Sequence, residues 1–285
     1  MAVSVISIGA SWLASSVSAA ALTAGYGAAT SYIAGALVGT VVAGTLTGAV
    51  SKGQQQSADP VAEAQASALI NKASNNAPLP VVYGYRKVGG TRVFLEVSGT
   101  DNEYLHVIIA MSEGEINSFE NIYLNDIIST DSRFNGVLNV YTHNGADNQT
   151  ADSNAVSDLP NWTSAHRLRG TSYVYVKMKF DQDAFPQGLP VITADLKGTK
   201  VYDPRPSGGL RNYLTNTRYG RGIATSLIDD TSFNVAANYC DTTVTIGGAT
   251  VKRYTTNGIV NTQKGSMVII RELLTSCKGF LIFSG

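Results

Sequence analysis

The chain has 285 residues, enough for one large domain or two ordinary ones. Its 21 basic and 21 acidic residues cancel, whereas nucleic-acid-binding proteins usually carry a basic excess on one face. Cys240 and Cys277 could form one disulfide, but two small buried hydrophobes are the favoured interpretation. The three histidines show no metal-ligand spacing. The composition therefore argues against a sequence-specific nucleic-acid partner, a disulfide framework and a zinc site.

The N-terminal segment is uncharged. Residues 1–51 contain no Asp, Glu, Lys or Arg, and Gly25-Tyr26-Gly27 divides them into two apolar runs. Each run exceeds the roughly 20 residues that a helix needs to cross a bilayer, and the glycine pair favours a turn. We therefore predict a helical hairpin over residues 1–52. Glycines spaced four residues apart let another backbone approach the second helix closely. These helix-packing glycines are Gly35, Gly39, Gly44 and Gly48.

Three interpretations of this segment compete. A cleaved signal peptide would explain an apolar start, but no basic residue precedes the run. A permanent membrane hairpin is disfavoured because only Lys52 supplies a flanking positive charge. Helices that pack against copies of themselves inside an oligomer fit the small-residue faces best. We prefer this third interpretation and leave later contact of residues 1–51 with a host membrane open.

Residues 53–78 have the composition of a polar linker. A short helix is predicted within it, from Pro60 to about Lys72. Asp59 would cap this helix, and proline suits its first position. From Leu79 onwards the pattern changes to that of β-strands.

Residues 79–203 are predicted to form a β-rich domain, with a surface loop or small insertion near 144–170. The segment LPVVYGYRKVGGTRVFLEVSG reads as two strands joined near Gly89-Gly90, and Asn125-Asp126 reads as a turn. The clearest strand is SYVYVKMKFD, whose period-two alternation predicts one buried face and one more solvated face. The other predicted strands are EYLHVIIAMSEG, INSFENIYL and VLNVYTHNG.

Residues 204–285 show a mixed pattern and are predicted to form an α+β domain that continues in a longer chain. Short helices are expected in LRNYLTNTRYG and from about Asp230, and strands in TTVTIGG, KRYTTNGIV and FLIFSG. A further helix is predicted from Thr262, because its apolar residues recur at helical spacing and place Cys277 on the buried face. Lys278 and Gly279 would close it.

No catalytic motif is recognisable in the sequence. There is no GxSxG, HExxH, Walker A loop or paired CxxC. The neighbouring carboxylates Asp101 and Glu103, and Asp229 and Asp230, are better read as turn and cap residues than as an acid–base pair. The sequence therefore predicts a protein that is not an enzyme and that has no catalytic, cofactor-binding or metal-binding residues.

Two segments resemble a known family. The first is Pro80-Val81-Val82-Tyr83-Gly84, and the second is Lys200-Val201-Tyr202-Asp203-Pro204-Arg205. Together they resemble the N-terminal part of the tail tip attachment protein, or central tail hub, of lambda-like long-tailed phages. One departure is that only PSGGLRN separates Arg205 from Tyr213, where the family usually carries a longer stretch with an Asn-Pro-Ala motif. Contacts that relatives make there cannot be transferred.

The resemblance implies a structural protein of the virion, at the phage tail tip. It implies a homotrimeric hub of β-barrel or sandwich-like domains that closes the tail tube, binds the distal tail protein and carries fibre elements. Opening would let DNA and the tape-measure protein pass through the lumen. Two alternatives from other classes are a membrane-anchored bacterial surface protein and a tail-associated cell-wall hydrolase.

Overall fold

In the computed structural model, residues 69–73 and 77–282 are described, and within them the chain is mainly β with its longer helices in the C-terminal part. The strands are β1 (Pro80–Tyr83), β2 (Tyr85–Val88), β3 (Thr91–Ser98), β4 (Tyr104–Glu113), β5 (Ser118–Leu124), β6 (Ile127–Ile128), β7 (Leu138–His143), β8 (Thr171–Lys179), β9 (Ile192–Lys197), β10 (Thr243–Ile246), β11 (Ala249–Lys252) and β12 (Gly258–Asn261). The helices are α1 (Ser153–Asp158), α2 (Pro206–Thr215), α3 (Asp230–Asp241) and α4 (Ser266–Thr275). Short 3-10 turns lie at Thr100–Asn102, Ser132–Phe134 and Thr225–Leu227.

Two four-stranded antiparallel sheets form the first half of the described chain. Their strand orders are β2-β9-β5-β6 and β3-β4-β8-β7. One core cluster takes side chains from both sheets, among them Val107 and Val176 from one and Leu124 and Leu196 from the other. The sheets therefore pack face to face around a shared apolar core, as in a sandwich.

Gly84 divides the first predicted strand into two. The sequence predicts one strand up to Gly89-Gly90, but β1 pairs with β12 whereas β2 pairs with β9. Gly84 has a φ of 68°, a left-handed conformation that glycine adopts without a Cβ penalty. The turn at this residue sends the two halves of the predicted strand into different sheets.

Both faces of β8 are buried over most of its length, which corrects the prediction of one solvated face. Tyr173 and Tyr175 lie on the face that was predicted to be solvated, yet each is 0% exposed. They pack with Ala155, Leu159 and Trp162 of the segment predicted as a surface loop near 144–170. This segment contains α1 and covers the outer face of the sheet, so only the far end of the strand reaches solvent.

A second core cluster lies between β1, β12 and the helices. Val81 and Tyr83 point into it, whereas Val82 between them points into the core of the sandwich. Leu210 on α2 and Ile269 on α4 complete the contact from the helical side. The side chains of β1 thus alternate between the two cores and connect them.

The domain boundaries predicted at 78/79 and 203/204 stay predictions.

The helices α2 and α3 follow the sequence pattern with one shift. α2 begins at Pro206 rather than at Leu210, and it ends at Thr215 well before Gly220. α3 begins at Asp230 as predicted, because the Asp229 carboxylate accepts hydrogen bonds from the first free backbone amides. KRYTTNGIV is not one strand, since β11 ends at Lys252 and β12 begins at Gly258.

The last predicted helix, from Thr262 to Gly279, is wrong at both its start and its end. α4 begins at Ser266 rather than at Thr262, since residues 262–265 form a turn after β12. Cys277 lies beyond the last residue of α4 and is half-buried rather than buried. Residues 279–282 contain no strand, and Phe280 is exposed; the remaining residues of FLIFSG lie outside the described part.

The predicted hairpin over residues 1–52 and most of the linker 53–78 lie outside the described residues. The end of the predicted linker helix does not form: residues 69–70 are a turn and bend, and Lys72 bridges to Thr91 in parallel fashion. The Asn71 side chain amide bonds to the backbone of Ile192 on both its donor and acceptor sides, at 2.7 Å each. Among the described residues no helix is both long and apolar enough to span a membrane.

Candidate functional site: the junction of the two motifs

The structure brings the two motif segments together, although more than 100 residues separate them in sequence. Pro80–Tyr83 forms β1, and the segment from Gly198 to Arg205 connects β9 to α2 across it. The Gly198 amide donates a hydrogen bond to the Gly84 carbonyl at 2.8 Å. A Cβ on Gly198 would lie 1.9 Å from the Val82 carbonyl oxygen, so only glycine permits this crossing.

The loop before β12 also contacts this crossing. The Thr256 amide donates to the Pro204 carbonyl at 2.7 Å. The Asn257 side-chain oxygen accepts from the Tyr85 amide at 2.8 Å. A Cβ on Gly84 would lie 2.0 Å from the Thr256 carbonyl oxygen. Three chain segments therefore meet here, and the contact leaves no space for a side chain on Gly84 or Gly198.

Charged groups fix the second motif in place. The Arg205 side chain donates to both carboxylate oxygens of Asp203, at 2.8 and 2.9 Å, and its backbone amide donates to the same carboxylate. Burial alone would raise the pKa of Asp203, but these hydrogen bonds outweigh it and lower that pKa. Arg205 also lies 3.8 Å from Asp241 at the end of α3, and Asp241 pairs with Lys252 at 2.6 Å. This charge chain connects the motif to α3 and β11.

Tyr83 anchors the first motif to the helices. Its hydroxyl donates to the Asn212 side-chain oxygen at 3.1 Å, and the Tyr219 hydroxyl donates to the same oxygen at 2.9 Å. Burial raises the pKa of Tyr83 strongly and that of Tyr219 to about 12, so both phenols stay protonated donors at neutral pH. The glycines of the shortened PSGG segment matter here, because a Cβ on Gly209 would lie 3.3 Å from the Tyr83 ring.

Not every residue of the motifs is part of the junction. Val201 is exposed, and Lys200 pairs with Glu115 at 3.0 Å on the surface. The Lys197 ammonium lies 5.9 Å from the centre of the Tyr202 ring. The junction is therefore made by the first motif together with Asp203, Pro204 and Arg205.

The carboxylate pairs seen in the sequence have structural partners. Asp229 caps α3, and Asp230 pairs with Arg211 at 2.6 Å. Asp101 lies in a left-handed turn, and Glu103 pairs with Lys179 at 3.3 Å. The structure thus gives cap, turn and ion-pair roles to these four residues.

Sequence reasoning missed a buried polar relay on the outer face of the β3-β4-β8-β7 sheet. The two ring nitrogens of His106 lie 2.7 Å from the Ser98 hydroxyl and 2.7 Å from the Tyr175 hydroxyl. Tyr175 in turn donates to Asp158 at 3.1 Å, and Lys177 donates to the same carboxylate at 2.9 Å. A lone histidine within the apolar run of β4 was the available signal.

The donors of this relay can be assigned. Burial is the main cause that lowers the pKa of His106, to about 4, so the ring is neutral at pH 7. Because the Tyr175 proton goes to Asp158, the His106 Nδ1 proton goes to Tyr175, and Nε2 accepts the proton of Ser98. The relay thus satisfies each member and holds the covering segment, through Asp158 of α1, against the sheet.

Other candidate ligands stay apart. Within residues 69–73 and 77–282 no group of three His, Cys, Asp or Glu is placed to hold a metal ion. Burial and the neighbouring Cys277 thiol raise the pKa of the Cys240 thiol, which favours the protonated form at neutral pH. Both cysteines are free thiols. Gly35, Gly39, Gly44 and Gly48 lie outside the described residues.

Comparison with known proteins gives a partial likeness. No protein-family model matches the chain. A virion structure of a native gene transfer agent particle is 20% identical, with a TM-score of 0.37 over 59% of this chain and 38% of that one, which is too low to support an argument about fold. The chain is 22% identical, over an alignment of 217 residues, to the baseplate hub protein pb3 of Escherichia phage T5. That alignment covers 51% of this chain and 23% of the relative, so the chain is similar to about a quarter of a phage hub protein.

Proposed function

We propose that this chain is a structural component of a phage tail, of the hub type, and that it is located in the virion. The observation that supports the proposal is its similarity to the phage T5 baseplate hub protein over about half of its length. The two hub-like sequence motifs meet in one junction, which is consistent with a shared architectural role for them.

The junction suits a scaffold better than a catalyst. Its contacts are backbone hydrogen bonds, an arginine–carboxylate pair and a crossing that excludes side chains. Such contacts hold two cores rigidly together and leave no open space for a substrate at that point.

The test of this proposal is the composition of the particle. Mass spectrometry of purified virions should identify peptides from this chain, and tails from a phage with the gene deleted should lack a complete tip. Complementation with the intact gene should restore the tip, and complementation with an unrelated gene should not. Purified infectious virions without this chain would contradict the proposal.

At a finer level, the chain would act as a homotrimeric hub that closes the tail tube. It would bind the distal tail protein above and fibre elements below, and it would open for DNA and the tape-measure protein. Cross-linking mass spectrometry of intact tails tests each of these contacts. Cross-links to the distal tail protein are expected, and cross-links exclusively to capsid proteins would contradict the arrangement.

Residues 1–51 would pack inside the hub and obstruct its lumen until ejection, when they would be displaced and could meet the host envelope. Their length, lack of charge and paired glycines motivate this role. Deletion of residues 2–50 is expected to impair assembly or ejection. Phage that carry the deletion and still infect normally would refute the idea, as would a reconstruction that places the segment on the outer surface.

The two alternatives have their own tests. A membrane-anchored surface protein would partition with membranes when expressed alone and would not co-purify with tail proteins. A cell-wall hydrolase with a serine nucleophile would need a histidine beside the serine, and the Ser98 hydroxyl lies 2.7 Å from the neutral His106 imidazole. Zymography should show no clearing with the wild-type chain, and clearing that S98A abolishes would establish the hydrolase instead.

A further inference from the structure

The surface around α4 is apolar and has a basic rim. Met267 is 61% exposed and Phe280 is 81% exposed, although both are large apolar side chains. One groove of about 440 Å³ runs between α4 and the segment after it, floored by Ile270, Leu274 and Leu281. Exposed apolar surface with a polar rim is a feature of protein–protein binding sites.

A second groove lies on the other side of the same helix. It has a volume of about 380 Å³ and is lined by Leu214, Ile223 and Val268, and it shares Met267 and Ile270 with the first. The two grooves therefore flank one exposed ridge of α4. Side-chain ridges of a second helix fit grooves of this kind, which is how helices pack on one another.

The charges around the grooves have one sign. Arg271 and Lys278 line the first groove and Arg221 lines the second, and no acidic residue lines either one. Arg221 donates to the Ser266 hydroxyl, and no carboxylate partner pairs with any of the three cations in the described part of the chain. The acidic residue of α4, Glu272, is already paired with Lys264 at 2.5 Å.

We propose that this α4 surface is the docking site for an amphipathic helix of another protein. The helix would place apolar residues at positions i, i+3, i+4 and i+7 in the grooves and acidic residues along its flanks. The grooves supply the apolar contact, and the unpaired cations of the rim select the charge of the partner. This inference does not depend on the proposed tail function.

The test uses the full chain and two labelled synthetic peptides of 18 residues. Both carry leucines at the helical spacing, and they differ in having glutamate or lysine along the flanks. Fluorescence anisotropy at low salt should show at least about ten-fold tighter binding of the glutamate peptide, a preference that falls at high salt. A scrambled glutamate peptide without the leucine spacing should bind weakly.

Charge reversal on the chain sharpens the test. R271E/K278E is expected to invert the preference so that the lysine peptide binds more tightly. K179E/K200E reverses two exposed cations far from α4 in sequence, on β8 and on the segment after β9, and should leave the preference unchanged. Circular dichroism of each variant separates lost binding from lost folding.

Three results would overturn the proposal. If the two helical peptides bind equally well or not at all, the rim cations do not select an acidic partner. If the scrambled peptide binds as tightly as the glutamate peptide, the grooves do not recognise apolar residues at helical spacing. Sedimentation that shows the wild-type chain self-associating, and M267D dissociating it, would assign the surface to a second copy of this chain instead.

Discussion

Between pH 7 and pH 5, acid is expected to destabilise the folded chain mainly through His106. Burial holds its pKa at about 4 in the folded chain, against an ordinary value of 6.5. The unfolded chain therefore takes up this proton first as the pH falls. The stabilising contribution of neutral His106 is complete above pH 6.5, declines as the pH approaches 4, and changes no further below that value.

The size of the effect follows from the difference between the two pKa values. The full contribution is about 3 kcal/mol, of which about 2 kcal/mol should disappear between pH 7 and pH 5. His106 is 0% exposed. Burial is the largest cause of the lowered His106 pKa, while the Asp158 charge raises that pKa and the Lys177 charge lowers it. Glu96 on β3 and Tyr104 on β4 also lie near the ring.

Urea unfolding followed by circular dichroism at pH 7 and pH 5 measures the change. H106Q is the matched control, because glutamine can donate and accept hydrogen bonds but does not titrate in this range. The wild-type chain should lose about 2 kcal/mol more than H106Q between the two pH values. Equal losses in the two proteins, or a wild-type stability that does not change, would refute this account of the relay.

Three further changes test the fold. G198A should lower the free energy of unfolding by about 1–3 kcal/mol in thermal melts, because the new Cβ meets a backbone oxygen at 1.9 Å. G265A is the control: nothing lies within 4 Å of its Cβ, so only the N-cap preference of α4 should be affected, at a cost below about 1 kcal/mol. W162A should cost about 3–5 kcal/mol in urea unfolding, since its buried indole holds the covering segment on the sheet; a surface-like change below 0.5 kcal/mol would contradict that packing. D203N should cost about 1–2 kcal/mol by removing the charge that Arg205 binds, and an unchanged midpoint at both low and high salt would show that the pair is not stabilising.

Local patterns in the sequence were sufficient for elements whose cause is local. The turn at Asn125-Asp126 follows from two residues that tolerate a left-handed backbone, and both have positive φ. The start of α3 follows from the capping carboxylate of Asp229. The apolar run of β4 also predicted its strand, because β-propensity acts within a few residues.

Contacts between distant segments decided the rest. The tyrosine face of β8 is buried because α1 and Trp162 cover it, and the sequence of the strand itself carries no information about this cover. The relay through His106 requires residues from four parts of the chain, and the one signal in sequence was a histidine in an apolar strand.

The sequence by itself determined the uncharged N-terminus, the mainly β character with C-terminal helices, and the two motif segments. Only the tertiary structure decided that the motifs meet, that Gly84 splits a strand between two sheets, and that a basic-rimmed groove opens beside α4. The physical reason is that propensity and periodicity act over a few residues. Burial, close backbone approach and charge environment depend on residues that folding brings together.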